Sequence, residues 1–258
     1  MSIRRHKGIR GLVMALVMAA PLLAAPKADA AVIQLGFILD RSGSIGGTNW
    51  NTIVNGLASA VGTYIPVNAV DTYEVSVVTF STAATANISN VLVSDQASRD
   101  ALVLAIQGLT AVYSGGNTNF AAAFSTMQAA LNGSTNNPSL SYVNFATDGV
   151  QNTGGTGVTE RNALIAWGVD NISIEGIGGG VDANDLRNNF CYPGPCDDTA
   201  PYNFPAQGFY IGVANAQGYA DAIGGKIQTV VDPVPEPITM TLLGLGLLGF
   251  GVARRRRD

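Results

Sequence analysis

From Val32 to Leu39 almost every position is apolar and the run shows no strict alternation, which predicts a strand covered on both faces. It stops at Asp40. Over Trp50 to Tyr64 the residues Ile53, Leu57, Val61 and Tyr64 recur at helical spacing, and the β-branched and aromatic run Tyr73 to Phe80 then predicts a second strand. Ile88 to Val93 reads as a short edge strand after a turn. Helical spacing returns over Asp95 to Leu109 through Leu102, Ile106 and Leu109. Beyond a loop rich in Gly and Asn, the stripe Phe120, Phe124, Met127 and Leu131 predicts another helix, its apolar side packed into the core.

Strands are predicted at Tyr142 to Thr147 and Ile172 to Ile177, with a helix over Thr159 to Trp167 between them. Phe209 to Val213 and Gln217 to Ile227 supply a last strand and helix. Such alternation implies an α/β fold: a doubly wound, mainly parallel sheet with helices on both faces. Residues 189–205, which carry both cysteines, read as a loop insertion. Gly176 to Gly180 has no following Lys and no clear helix start, so it reads as turn chemistry at a strand end rather than a phosphate loop.

The two ends have a different pattern. Arg4, Arg5, Lys7 and Arg10 precede an apolar run from Gly11 to Ala25 and the small-residue pattern Ala28-Asp29-Ala30, the layout of a secretory signal peptide over residues 1–30. At the other end Pro235, Glu236 and Pro237 precede the apolar segment 238–253 and then Arg254, Arg255, Arg256 and Arg257. A helix of that length spans roughly 24 Å against a hydrocarbon core of roughly 30 Å, short for a permanent span. The arginines would stay cytoplasmic and leave the rest of the chain outside.

This tail resembles the PEP-CTERM sorting signal of Gram-negative bacteria. The resemblance implies recognition by an exosortase, transient anchoring in the inner membrane through a short transmembrane helix, and delivery to the cell envelope, the surface or an exopolysaccharide matrix. The expected division is a signal peptide at 1–30, a folded domain at 31–231 and a sorting signal at 232–258.

From Ala31 to Val234 five basic side chains face fifteen acidic ones, a net charge of −10 that the whole-chain value of −4 conceals. Nucleic acid is thereby disfavoured as a partner, since phosphate binding depends on clustered Lys and Arg. The only histidine, His6, lies in the expected signal peptide. A folded domain without histidine has no Ser-His-Asp or Cys-His mechanism and no histidine zinc site. Cys191 and Cys196, set around Tyr-Pro-Gly-Pro, are expected to form a local disulfide in an oxidising compartment.

Three polar clusters fall at strand ends, where a doubly wound sheet binds its ligands. They are Asp40-x-Ser42-x-Ser44, Thr118 after Gly115-Gly116-Asn117, and Thr147-Asp148-Gly149. Hydroxyls can bind a hard cation directly, and carboxylates can hold its remaining waters.

Asp40, Ser42, Ser44, Thr118 and Asp148 resemble, residue by residue, the metal-ion-dependent adhesion site (MIDAS) of the von Willebrand factor A (vWA) domain. That likeness extends over roughly Val32 to Ile227. It implies a vWA/Rossmann-like fold, with Ser42, Ser44 and Thr118 as direct or near-direct ligands of a divalent metal. Asp40 and Asp148 would act largely through water, and Gly43 and Gly149 would ease the turns. Mg²⁺ is the expected ion, with Mn²⁺ and Ca²⁺ also compatible. The expected partner is a protein that offers an acidic side chain.

No catalytic residue is expected. A phosphatase of the haloacid dehalogenase kind also begins with Asp after a strand, but it needs a second acid where this chain has Ser42, and Lys226, the one lysine of the central region, lies on the last helix. The remaining alternative is a matrix component whose contacts need no metal.

Overall fold

Val32–Asp40 forms strand β1, buried along nearly its whole length, which is why its sequence shows no alternation. Helix α1 (Gly47–Tyr64) follows, then β2 (Thr72–Phe80) and β3 (Ala84–Val93). After α2 (Gln96–Gly108), a 3₁₀ turn at Leu109–Val112 and α3 (Phe120–Asn132) come β4 (Leu140–Thr147), α4 (Val158–Trp167) and β5 (Asn171–Ile177). A short helix α5 (Ala183–Asp185) runs into a π turn at Leu186–Phe190, and β6 (Tyr210–Val213) and α6 (Ala216–Val231) complete the order. This is a computed structural model, and it describes residues 31–67 and 69–231.

The six strands make one sheet in the order β3-β2-β1-β4-β5-β6. All neighbours are parallel except β2 and β3. One core layer joins the sheet to α1, α2 and α6, through Trp50, Leu57, Ile106, Tyr219 and Ile223 among others. The opposite layer holds α3, α4 and the π turn, with Phe120, Phe124, Leu164 and Phe190. The stripe Phe120, Phe124, Met127 and Leu131 is buried there.

Gln34, a polar residue inside the sheet, is fully paired. The Gln34 amide donates to Glu74 Oε1 at 3.1 Å and to the Leu131 carbonyl at 3.0 Å, and its oxygen accepts from Ser141 Oγ at 2.7 Å.

Three elements depart from the sequence reading. β3 starts at Ala84 rather than near Ile88, because its first half is polar and exposed and carries no strand pattern. α6 runs from Ala216 to Val231, beyond the predicted helix at both ends. Helical backbone over Ala183–Phe190, started by Asp182 accepting from the amides of Asn184 and Asp185, was not signalled by any apolar stripe. That helical segment includes the first residues of the 189–205 loop, whose Tyr192 and Asp197 bridge to Ile172 and Phe209.

Both described ends sit at the edge of the sheet where β1 and β2 begin. The Ala31 amide donates to Asp71 Oδ1 at 3.0 Å, and Tyr73 Oη donates to the Val231 carbonyl at 3.3 Å. The expected signal peptide at 1–30 and the apolar helix at 238–253 lie outside the described residues. Among the described residues no helix is long and apolar enough to cross a membrane.

α1 and α6 approach closely at Gly56, where an added Cβ would lie 2.5 Å from the Cβ and 2.7 Å from the Cα of Ala220. Gly56→Ala must therefore push the helices apart. The expected loss is about 1–3 kcal/mol in urea unfolding, despite the better helix propensity of alanine.

Candidate metal centre

The chain leaves β1 for β2 on one side and later returns to β4 on the other, so the carboxyl ends of β1 and β4 flank the point where strand order reverses. Asp40 is the last residue of β1 and Thr147 the last of β4. A hydrogen bond from Thr147 Oγ1 to Asp40 Oδ2, 2.7 Å, ties the two ends together. The other carboxylate oxygen of Asp40 accepts from the Ser42 amide at 2.8 Å, which curls the loop back over the strand end.

From there the polar groups run outward. Ser42 Oγ lies 3.2 Å from Ser44 Oγ, and Ser44 Oγ donates to Asp148 Oδ1 at 2.7 Å. Thr118 joins from the third loop: a Cβ built on Gly149 would lie 3.7 Å from Thr118 Oγ1 and 3.8 Å from Ser44 Oγ. The structure thus brings Asp40, Ser42, Ser44, Thr118 and Asp148 to one place. Asp40, Ser42 and Thr118 are buried, Asp148 is half-buried and Ser44 is exposed, so the cluster opens to solvent on the Ser44 side.

The loops are fixed mainly by backbone contacts. The Gly43 amide donates to the Gly116 carbonyl at 2.9 Å, with Gly116 at φ 99°. Left-handed backbone falls at Gly46, Gly115 and Gly116, not at Gly43 or Gly149, so the turns are eased by different glycines from the two expected. Thr118 lies just ahead of the helix: Asn119 is the cap, its Oδ1 accepting from the Ala122 amide, and α3 begins at Phe120.

Two amides without any sign in the sequence pattern hold this segment. Asn152 Oδ1 accepts from the Thr118 amide and Gln151 Oε1 from the Phe120 amide, each at 2.9 Å. Single amides after a strand are too common in loops to stand out.

Electrostatically the site is short of positive charge. Burial pushes the Asp40 carboxyl up to about 6, against the pull of its hydrogen bonds from Thr147 and Ser42, and the nearby Asp148 adds to the rise. Asp148 is also raised by burial, with the Ser44 hydrogen bond opposing. The adjacent Arg41 turns away and donates to the Val112 carbonyl. Neither carboxylate takes part in the ion pairs found among the described residues, Arg187–Asp198 and Lys226–Glu175. Nor do the described residues contain a group of three or more His, Cys, Asp or Glu suited to a metal, so a cation here would rely on hydroxyls.

Comparison with known proteins bears on this arrangement. The von Willebrand factor type A domain profile matches residues 34–197, more than half of the chain. The chain belongs to the vWA domain family. Solved structures similar to this vWA chain include proximal thread matrix protein 1 from the mussel byssus, with a zinc-occupied MIDAS motif (19% identity, TM-score 0.58, 78% of this chain and 48% of that one). A von Willebrand factor type A protein from Catenulispora acidiphila is similar at 16% identity, with TM-score 0.58 over 78% of this chain and 43% of that one.

Manganese-loaded TRAP protein from Plasmodium vivax matches at 23% identity, TM-score 0.53, over 76% of this chain and 74% of that one. At these identities the likeness concerns the fold, and the chain spans less than half the length of the mussel and Catenulispora proteins. Among curated proteins no match was found. Residues 233–257 match the PEP-CTERM protein-sorting motif, which points to exosortase processing and to export and sorting to the cell envelope.

The sulfurs of Cys191 and Cys196 are bonded, closing a short loop at the outer edge of β5 and β6. The sorting-signal residues Pro235 to Pro237 and Arg254 to Arg257 lie outside the described residues.

Proposed function

We propose that this is an exported cell-surface or matrix protein whose vWA domain binds a divalent metal, Mg²⁺ foremost, and uses it to hold an acidic side chain of a protein partner. The observation that carries this reading is the convergence of two carboxylates, both drawn out of water, with three hydroxyls and no neighbouring cation. Such a set suits a hard, oxygen-preferring ion, and it leaves that ion electron-poor. Ser42, Ser44 and Thr118 would hold it through hydroxyls, and Asp40 and Asp148 largely through water. When bound, the metal supplies a Lewis-acidic point that favours a carboxylate from outside.

The reading makes the chain a binding protein rather than an enzyme. Lys226, the one lysine a phosphatase could use, is paired with Glu175. The tail supports delivery to the surface, with an exopolysaccharide matrix as a further setting. Capture of partner proteins from an envelope extract by the exported chain, with and without chelator, tests the proposal. Capture lost with chelator and restored by Mg²⁺ supports it; the same proteins held under both conditions would leave a matrix role that needs no metal.

A pH dependence follows from Asp40. Its folded value of about 6 lies above the ordinary 3.8, so the metal-free folded chain holds this proton more tightly than the unfolded chain does. Stability therefore falls as pH rises from about 4 to about 6, by on the order of 3 kcal/mol, and is level above. A cation offsets that cost only where Asp40 is ionised. The rise in Tm caused by saturating Mn²⁺ is expected to be clearly larger at pH 7 than at pH 5 in a thermal-shift assay.

A further inference from the structure

On the other side of the sheet from the aromatic layer of α3, three polar side chains are buried with no use in the candidate metal centre. Asn144 of β4 and Glu175 of β5 both point toward α6; Asn144 lies opposite Ser173, and Glu175 is two residues further along the same strand. Lys226 reaches in from α6, with its Nζ 3.0 Å from Glu175 Oε1 and 4.9 Å from the centre of the Phe209 ring. The side chains of Lys226 and Glu175 are 4% and 0% exposed.

This cluster is poorly satisfied. Both amide atoms of Asn144 are buried without a hydrogen-bond partner, and the Lys226–Glu175 contact, close as it is, has the geometry of no full hydrogen bond. The Asn144 amide still faces the Glu175 carboxyl closely enough to lower its pKa. Buried amides are almost always paired, and a buried ion pair seldom recovers its desolvation cost. A cavity of about 30 Å³ is lined by both Asn144 and Lys226, together with Ser173, Phe204 and Ile223. That is room for a molecule the size of water.

An amine, a carboxamide and a carboxyl group held together in an apolar pocket are the components of an amide condensation. We propose that Lys226 and Asn144 join within the folded chain as an intramolecular isopeptide bond between α6 and β4, with Glu175 carrying the proton. Lys226 Nζ attacks Asn144 Cγ; the Nζ–Cγ bond forms, the Cγ–Nδ2 bond breaks, and ammonia leaves into the cavity. Glu175, protonated, gives its proton to the amide oxygen as Nζ attacks; the resulting carboxylate takes a proton from Nζ and passes it to the departing Nδ2, and it recovers its own proton from the oxygen as the carbonyl re-forms. No oxidant or cofactor is consumed. The product is a neutral amide, and it removes the orphaned carboxamide and the buried charge in one step. Burial favours the neutral forms that the attack needs, since it lowers Lys226 and raises Glu175.

Intact-mass measurement of the full exported chain tests this. The expected mass is lower than that of the linear chain by one ammonia, beyond the disulfide hydrogens. The tryptic peptide that contains Asn144 should appear joined to the one that spans Lys226, with no cleavage after Lys226. Asn144→Ala and Lys226→Met each restore the full mass, and Glu175→Gln leaves most of the chain unlinked. A folded wild-type chain that gives the linear Lys226 peptide, or one that loses ammonia at another asparagine only, overturns the proposal. Neither result depends on whether a variant folds.

Discussion

Asp148→Ala lowers the affinity for Mn²⁺ and Mg²⁺ by roughly 10–100-fold in calorimetric titration, the range expected when a carboxylate that orients a metal's surroundings is lost. Asp148 does two things at the cluster. It supplies one of two negative charges, and its Oδ1 fixes the Ser44 hydroxyl at 2.7 Å. Without it the Ser44 side chain, exposed on the loop, is free to turn to solvent. The metal-free chain should lose no stability, because Asp148 is part of what raises Asp40. Affinity that falls while the metal-free Tm holds separates a site effect from a folding effect. Asp100→Ala, which removes an exposed carboxylate of α2, is the control that leaves affinity unchanged. Equal binding by wild type and Asp148→Ala would show that the five residues are a set of helix and turn contacts with no ion.

The second large effect lies beneath the site. Phe145, fully buried on β4, packs against Phe80, Phe120, Phe124 and Phe190 with ring centroids 5.9, 4.9, 5.0 and 6.0 Å away. Its contacts with Phe120 are edge-on, the favoured arrangement for aromatic pairs. Phe145→Ala removes a ring from the centre of a packed group that cannot collapse around the gap. A cost of about 3–5 kcal/mol is expected, seen as a drop in Tm on the order of 10 °C. Phe145→Leu fills much of the space and should cost less. Because Thr147 follows on the same face of the strand and holds Asp40, the alanine variant should also weaken metal binding. A variant that melts like wild type would mean that this layer is loosely packed.

Much of the fold was legible because buried strands leave a plain mark: β1 is an almost continuous apolar run, and β2, β4 and β5 are rich in β-branched and aromatic residues. The candidate site was legible for a related reason. Its residues stand within a few positions of strand ends, and in a doubly wound sheet those ends converge at one edge. β3 escaped in part because it lies at the edge of the sheet, where only Ile88 and Val93 are buried. Gln151 and Asn152 escaped because an amide that clamps a neighbouring loop has no spacing to betray it. Asn144, Glu175 and Lys226 are the clearest case: each is one polar residue among others in its element, and only the stacking of α6 on β4 and β5 puts them together.

The bonds at Asp71 and at Val231 put both described ends of the chain at one rim of the sheet, whereas Asp40, at the last residue of β1, lies at the other. Nine residues of strand separate the rims, roughly 30 Å. Whatever grips the tail beyond Val231 therefore grips the domain by its base. The serine loop is left at the far pole, on the opposite rim from the point where the tail departs.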